Sequence, residues 1–276
     1  MQRTSHGQDG GSPLISELHG HSMITEYELY SDERRMPPPH RSQMLLGGIV
    51  CTSAGRARLL EKLAAVRSKY NLAHEMKWAK VSRAFLEAYR AWVDVFFDDP
   101  FARFSLLIID QSSRDWSSFQ PRLGRRTTLD DRLASAFYQF LLVTLAPLRD
   151  TKRWSVYPDA GLFARESVLQ RIEFLFNRTY KKAFGRRTSR IIRFARSRDS
   201  GKTDLVQVAD VLLGSFGSDL LGVAPSSEPR ATLVHHCAQR IRSMTRTRTA
   251  QSKLAYCRWV HPDRFSYGPC EVSGAV

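Results

Sequence analysis

Apolar residues recur along this chain with two periods, and the alternation between those periods outlines the fold. Residues 24–30 (ITEYELY) alternate, with Glu26 and Glu28 between Ile24, Tyr27 and Leu29, as a strand exposed on one face does. Ser31-Asp32-Glu33-Arg34 reads as its end, and Pro37-Pro38-Pro39 as an extended turn, because proline removes a donor and holds φ. Residues 44–51 (MLLGGIVC) form an apolar run that completes a hairpin with the first strand. A helical period then covers residues 56–70, with Leu59, Leu60, Leu63 and Val66 on one face, and another covers 82–97. Further on, strands are expected at 104–109, 153–157 and 189–194. Helices are expected at 128–145, where Pro147 follows, and at 163–180 and 204–221. Two hairpin strands followed by strands alternating with helices describe an α/β domain, a mixed sheet of five strands flanked by helices.

Outside that pattern, residues 1–22 are rich in Gly, Ser and His without periodicity and read as a disordered leader. The domain is read as 23–224. After Pro225 the character changes, and 225–276 reads as a basic helical appendage with one more helix at 231–244. No stretch approaches the roughly 20 apolar residues that span a membrane. The four cysteines are scattered without a disulfide framework, which implies a reducing, cytoplasmic setting.

Charge adds a partner to the picture. The chain carries 42 Lys and Arg against 27 Asp and Glu, net +15. Residues 178–202 hold 10 basic residues and one acid, and residues 223–276 hold 8 basic and 3 acidic. Clustered positive charge suits a polyanion, since each neutralised phosphate releases counterions, and nucleic acid is the expected partner. Arg186, Arg187, Arg190 and Arg193 are the candidate phosphate contacts; a charged strand edge that discourages aggregation is the other reading.

The candidate chemistry is carboxylate chemistry. Asp32 and Glu33 stand where the first strand ends, Asp159 where another strand ends, and Glu75 between two helices beside Lys77 and Trp78. Asp210 lies within LVQVADVLL, a helix apolar on almost every face, and a buried carboxylate needs a partner or a metal. Gln207 shares its face three residues earlier, placed to bond a ligand or orient Asp210. Each acid alone has a plainer reading: turn residues for Asp32 and Glu33, a helix cap for Asp159, a surface pair for Glu75 with Lys77, an arginine partner for Asp210. Together they suit a hard divalent cation, Mg²⁺ or Mn²⁺, because converging carboxylates repel unless cations occupy them.

Other motifs carry less. His235-His236-Cys237 with Cys257 and His261 is loosely spaced for zinc, and Gly201-Lys202-Thr203 lacks the earlier glycine of a phosphate loop, position 196 being Arg. No cysteine has a histidine in nucleophilic context.

The motifs Ser31-Asp32-Glu33, Leu46-Gly47-Gly48-Ile49-Val50, Glu75-Met76-Lys77-Trp78, Tyr157-Pro158-Asp159-Ala160 and Gln207-Val208-Ala209-Asp210 come in that order over residues 24–222. In this the chain resembles the bacterial domain-of-unknown-function family numbered 3800, whose members are regarded as ribonuclease-H-like. The resemblance implies a ribonuclease-H-like fold and a metal-dependent nuclease. Asp32, Glu75, Asp159 and Asp210 would be its catalytic and metal-ligating acids, and Glu33 an auxiliary ligand or a structural partner. Lys77 would contact a phosphate and Trp78 would sit in the core, with Asp110 a lower-ranked alternative to Asp159. Arg34-Arg35 stands where the family has Ser-Gly after Asp-Glu, which leaves a non-catalytic nucleic-acid-binding module as the other reading.

Overall fold

The computed structural model describes residues 26–38, 40, 42–110, 129–145, 153–184, 191–245, 254–261 and 264–267. The leader at 1–22 lies outside them, as do Arg186, Arg187 and Arg190. The chain begins with the expected hairpin, β1 (Glu26–Arg35) and β2 (Gln43–Thr52). Helices α1 (Ser53–Tyr70) and α2 (Leu86–Asp98) lead to β3 (Arg103–Asp110). Then come α3 (Leu129–Leu145), β4 (Arg153–Pro158), α4 (Glu166–Phe184), β5 (Ile192–Ala195) and α5 (Asp204–Leu220). The remainder is α6 (Glu228–Thr245), β6 (Leu254–His261) and β7 (Arg264–Tyr267).

The sheet runs β5-β4-β1-β2-β3-β6-β7. Its first five strands are the five expected from the pattern, and among them only β2 runs against the others. That mixed, helix-flanked arrangement is ribonuclease-H-like. Two things differ from the sequence reading. First, β1 does not stop before Ser31. It continues to Arg35 because β2 keeps supplying hydrogen-bond partners, from Ser31 opposite Gly48 to Arg35 opposite Met44. Second, the tail is not wholly helical. After α6, β6 pairs in parallel with β3 and β7 pairs against β6, so the sheet has seven strands among the described residues. The open edge of β3 provides a ladder that the tail's basic composition did not suggest.

The two faces of the sheet carry separate cores. One, under α1, α2, α5 and α6, contains Tyr89, Trp92, Phe96, Phe104 and Phe216. The other, under α3 and α4, contains Phe137, Phe140, Trp154, Phe163 and Phe176. Helix α6 belongs to the first core through Leu233, Cys237 and Ile241, where Cys237 is fully buried. Among the described residues no helix is long and apolar enough to cross a membrane.

Helix α5 is the central element of that first layer. It packs on β1 and β2 and has α6 on its outer side. From Leu205 to Ser218 every residue but Asp210 is buried, as its all-round apolar pattern implies. The indole of Trp78 lies directly against this helix at Gly214. A Cβ there would come within 2.3 Å of the ring. Gly214→Ala is therefore expected to destabilise the fold by about 1–3 kcal/mol through overpacking, although alanine is the better helix former by about 1 kcal/mol. A fall in the urea midpoint at unchanged slope is the measurement that checks it.

Candidate functional site

Four acids reach one neighbourhood from four separate stretches of chain. The parallel pairing of β1 with β4 ends at Ser31 opposite Pro158, and the Asp159 N–H then donates to the Ser31 carbonyl at 2.8 Å. This sets Asp159 beside Asp32. Alternation along β1 sends Asp32 and Arg34 to the α5 side, with Tyr30, and Glu33 to the opposite side. Asp210 comes from α5, and its Oδ2 accepts the Trp78 N–H at 2.9 Å. The same segment carries Glu75, whose Oε1 accepts the Ser200 hydroxyl at 2.8 Å and pairs with Lys77 Nζ at 3.0 Å.

Glu33 and Asp159 are tied through the turn after β4. Asp159 Oδ1 accepts from the Ser200 N–H at 3.2 Å, its Oδ2 from Gly161 N–H at 3.3 Å, and Glu33 Oε1 accepts from Leu162 N–H at 3.1 Å. A Cβ on Gly161 would stand 3.0 Å from Glu33 Oε1 and 3.3 Å from Asp159 Oδ2, so glycine lets the backbone pass between two carboxylates. Asp159 is thus a turn anchor and not a cap of α4, which begins at Glu166.

The electrostatics follow from this crowding. Burial, then the charges of Asp210, Glu33 and Asp159, holds the Asp32 carboxyl well above its ordinary range. Burial also raises Asp210, opposed by the Trp78 N–H and by the positive charges of Arg34 and Lys77. Burial pushes Glu33 up to about 7 against the bond from Leu162, and its Oε2 is buried without a hydrogen-bond partner among the described residues. Burial would raise Glu75 too, but bonds from Lys77 and Ser200 outweigh it and hold this carboxyl below the ordinary value. Lys77 feels Glu75, Asp159 and Asp210 together, and these attractions overcome its partial burial and raise its pKa.

Gln207 fixes how these segments meet, and it does so differently from the sequence expectation. Its side chain is fully buried. Oε1 accepts from the Met76 N–H and from Arg67 Nη2, each at 2.8 Å, and Nε2 donates to the Ser200 carbonyl at 2.7 Å. None of these bonds goes to Asp210. Gln207 locks the Glu75 segment to the Ser200 turn, and those three bonds use both lone pairs of Oε1 and one of the two Nε2 hydrogens. Arg67 extends the lock to Asp204 at 2.7 Å and to the carbonyls of Leu72 and His74. Ser200 and Arg67 were not legible as site residues: a serine in a polar turn and an arginine in the last turn of α1 look like ordinary surface.

The other expected positions sort clearly. Trp78 is buried in the core, between the guanidinium groups of Arg34 at 5.7 Å and Arg230 at 5.9 Å from its ring centre. Asp110 stands two strands from β1 and four residues past Leu106, the β3 residue level with Gly47 and hence with Asp32. That is about 13 Å along the strand at about 3.3 Å per residue, so Asp159 and not Asp110 joins Asp32. Arg193 pairs with Glu26 at 3.3 Å on the sheet edge.

The donor set suits a hard cation: carboxylate oxygens only, crowded, with a buried unpartnered oxygen on Glu33. Among the described residues no group of three or more His, Cys, Asp or Glu side chains is placed to hold a metal ion. Mg²⁺ does not require one, since it is usually held by one or two carboxylates plus water and substrate phosphate. No protein-family model matches the chain, and no curated protein matches it.

A carboxyl whose folded pKa is raised keeps a proton that the unfolded chain has lost, so stability falls as pH rises through that window. For Glu33 the window runs from 4.5 to about 7. Glu33→Gln is expected to raise the urea midpoint at pH 8, by a stability gain on the order of 1 kcal/mol given about 1.4 kcal/mol per pKa unit, and to bring no gain at pH 4. Urea unfolding of both proteins from pH 4 to 8 measures the difference.

Proposed function

We propose that the protein is a divalent-metal-dependent phosphodiester hydrolase acting on nucleic acid. The observation that carries this reading is the convergence of half-buried carboxylates from different elements: Asp32, held up by burial and by the charges of Asp210, Glu33 and Asp159, and Asp210, held up by burial and by the charge of Glu75. An arrangement with such repulsion is costly without positive charge, and that charge is what a phosphodiester hydrolase needs.

Asp32 and Asp210 would hold Mg²⁺ or Mn²⁺, with Asp159 and Glu75 completing the acidic set. When bound, the cation supplies Lewis-acid polarisation of a phosphoryl oxygen and acidifies water. The chain's own groups do the rest. Lys77, drawn by Glu75, Asp159 and Asp210, offers its Nζ to a phosphate oxygen. Glu33 Oε2, unpartnered and with proton affinity near neutrality, suits a proton acceptor at the working pH. Gln207, Arg67 and Ser200 keep the Glu75 segment in register with Asp159.

One observation favours a second reading, a non-catalytic nucleic-acid-binding module. Arg34 lies over Trp78 and faces Asp210 and Asp32 closely enough that their charges oppose the lowering of its pKa by burial. A resident guanidinium offsets the acids without metal.

Labelled DNA and RNA, single- and double-stranded, incubated with Mg²⁺, Mn²⁺ or chelator, separate the two. The hydrolase reading expects metal-dependent cleavage, abolished by chelator and reduced in Asp32→Asn/Asp210→Asn by more than the roughly 10–100-fold typical of losing an outer-shell partner. Cleavage indifferent to chelator or to these substitutions overturns it. Salt-sensitive binding with no turnover under any condition favours the second reading.

A further inference from the structure

The α5 side of the sheet is covered by α5 over β1 and β2, while β4 and β5 take their helix, α4, on the opposite side. On the α5 side, the rings of Tyr157 on β4 and Phe194 on β5 meet at 5.6 Å, and Tyr157 stacks on Tyr30 at 4.9 Å. Arginines lie over this aromatic row. The guanidinium of Arg198 sits 4.8 Å from the Tyr157 ring centre and that of Arg196 sits 5.1 Å from that of Phe194. Both arginines are exposed.

What distinguishes these two is what they lack. Most other arginines near the site have an anion or a carbonyl: Arg67 has Asp204, Arg193 has Glu26, and Arg230 has the Trp78 carbonyl. Among the described residues, neither Arg196 nor Arg198 has a side-chain hydrogen bond or an ion pair. The aromatic faces hold the guanidinium planes, and the in-plane N–H groups stay free for an external acceptor. Their backbone is rigid too. Arg198 N–H donates to the Pro158 carbonyl and the Arg198 carbonyl accepts from Ala160 N–H, each at 2.8 Å, which pins Arg198 alongside Asp159. Two guanidinium groups without an ionic partner among the described residues therefore border the acidic site.

We infer that Arg196 and Arg198, stacked on Phe194 and Tyr157, form the rail along which the phosphate backbone of a nucleic-acid strand reaches the Asp32–Asp159–Asp210 site. The rail rests on the reading of the site as one that handles nucleic acid. It also solves that reading's electrostatic problem, because carboxylates repel a polyanion unless positive charge adjoins them. Contacts of this kind carry no base information, so the rail accepts strands irrespective of sequence.

The test is equilibrium binding of the full chain to fluorescein-labelled 20-nucleotide single strands of mixed sequence, in chelator, at several salt concentrations. Chelator removes turnover from the measurement, so failure of the hydrolase proposal and failure of the rail are told apart. Arg196→Gln/Arg198→Gln is expected to weaken binding about tenfold or more and to flatten the log–log salt dependence by about 1.4, at about 0.7 per lost single-strand contact. The control, Arg83→Gln/Arg240→Gln, removes the same charge from arginines paired with Glu228 and with Asp94 and Asp98 on the α2–α6 side, and is expected to leave the slope unchanged. Equal losses in the two variants, or parental binding by the first, overturn the rail; thermal melts equal to the parent's confirm that both variants are folded.

Discussion

Helix α5 approaches β1 and β2 closely enough for a carboxylate on the helix and a carboxylate on the strand to share one electrostatic environment, and the rest of the site is arranged around that closeness. It has a steric condition. Gly214 leaves room for the Trp78 indole against the helix, one turn beyond Asp210. The ring's backbone then stands where its N–H meets Asp210 Oδ2. The apolar contact and the polar contact are made by the same residue, so packing in the core and placement of the acid are one event. The acid itself is placed at a cost, since Asp32 and Asp210 are both raised by burial and by neighbouring charge.

That cost is distributed unevenly, and the unevenness gives the acids different characters. Bonds from Lys77 and Ser200 hold the Glu75 carboxyl below its ordinary value against burial, while burial pushes Glu33 up to about 7. Asp32 accepts the Glu33 N–H and Asp210 the Trp78 N–H, with Arg34 attracting both carboxylates and Lys77 attracting Asp210. Carboxylates with such different proton affinities within one site can play different parts in one reaction. The lock of buried Gln207 with the half-buried Arg67 and Asp204 makes those differences durable by preventing the Glu75 segment and the Ser200 turn from drifting apart. A buried network that is fully satisfied rigidifies what it joins.

Much of the framework was legible because periodicity reports burial directly. The existence of the strands β1 to β5 and the all-round burial of α5 follow from where apolar residues recur, and the core position of Trp78 is what the family resemblance implied. Where the sequence reading fell short, local composition pointed away from a tertiary partner. Asp32 and Glu33 look like the end of a strand, yet β2 extends the ladder past them. The tail looks like a basic appendage, yet β6 finds the free edge of β3. Gln207 was placed correctly beside Asp210, but its three partners come from residues 67, 76 and 200. Spacing along one helix carries no information about those.

The chain alone determined the alternation of strands and helices, the localisation of positive charge and the set of acids that would be expensive to bury, since these depend on residue type and near-neighbour spacing. Tertiary structure decided which acids meet: Asp159 with Asp32 through a backbone bond to Ser31, and Asp110 apart from them along β3. It also decided which arginines stay unneutralised, because pairing depends on groups remote in sequence. Arg193 found Glu26, whereas among the described residues Arg196 and Arg198 found only the faces of aromatic rings.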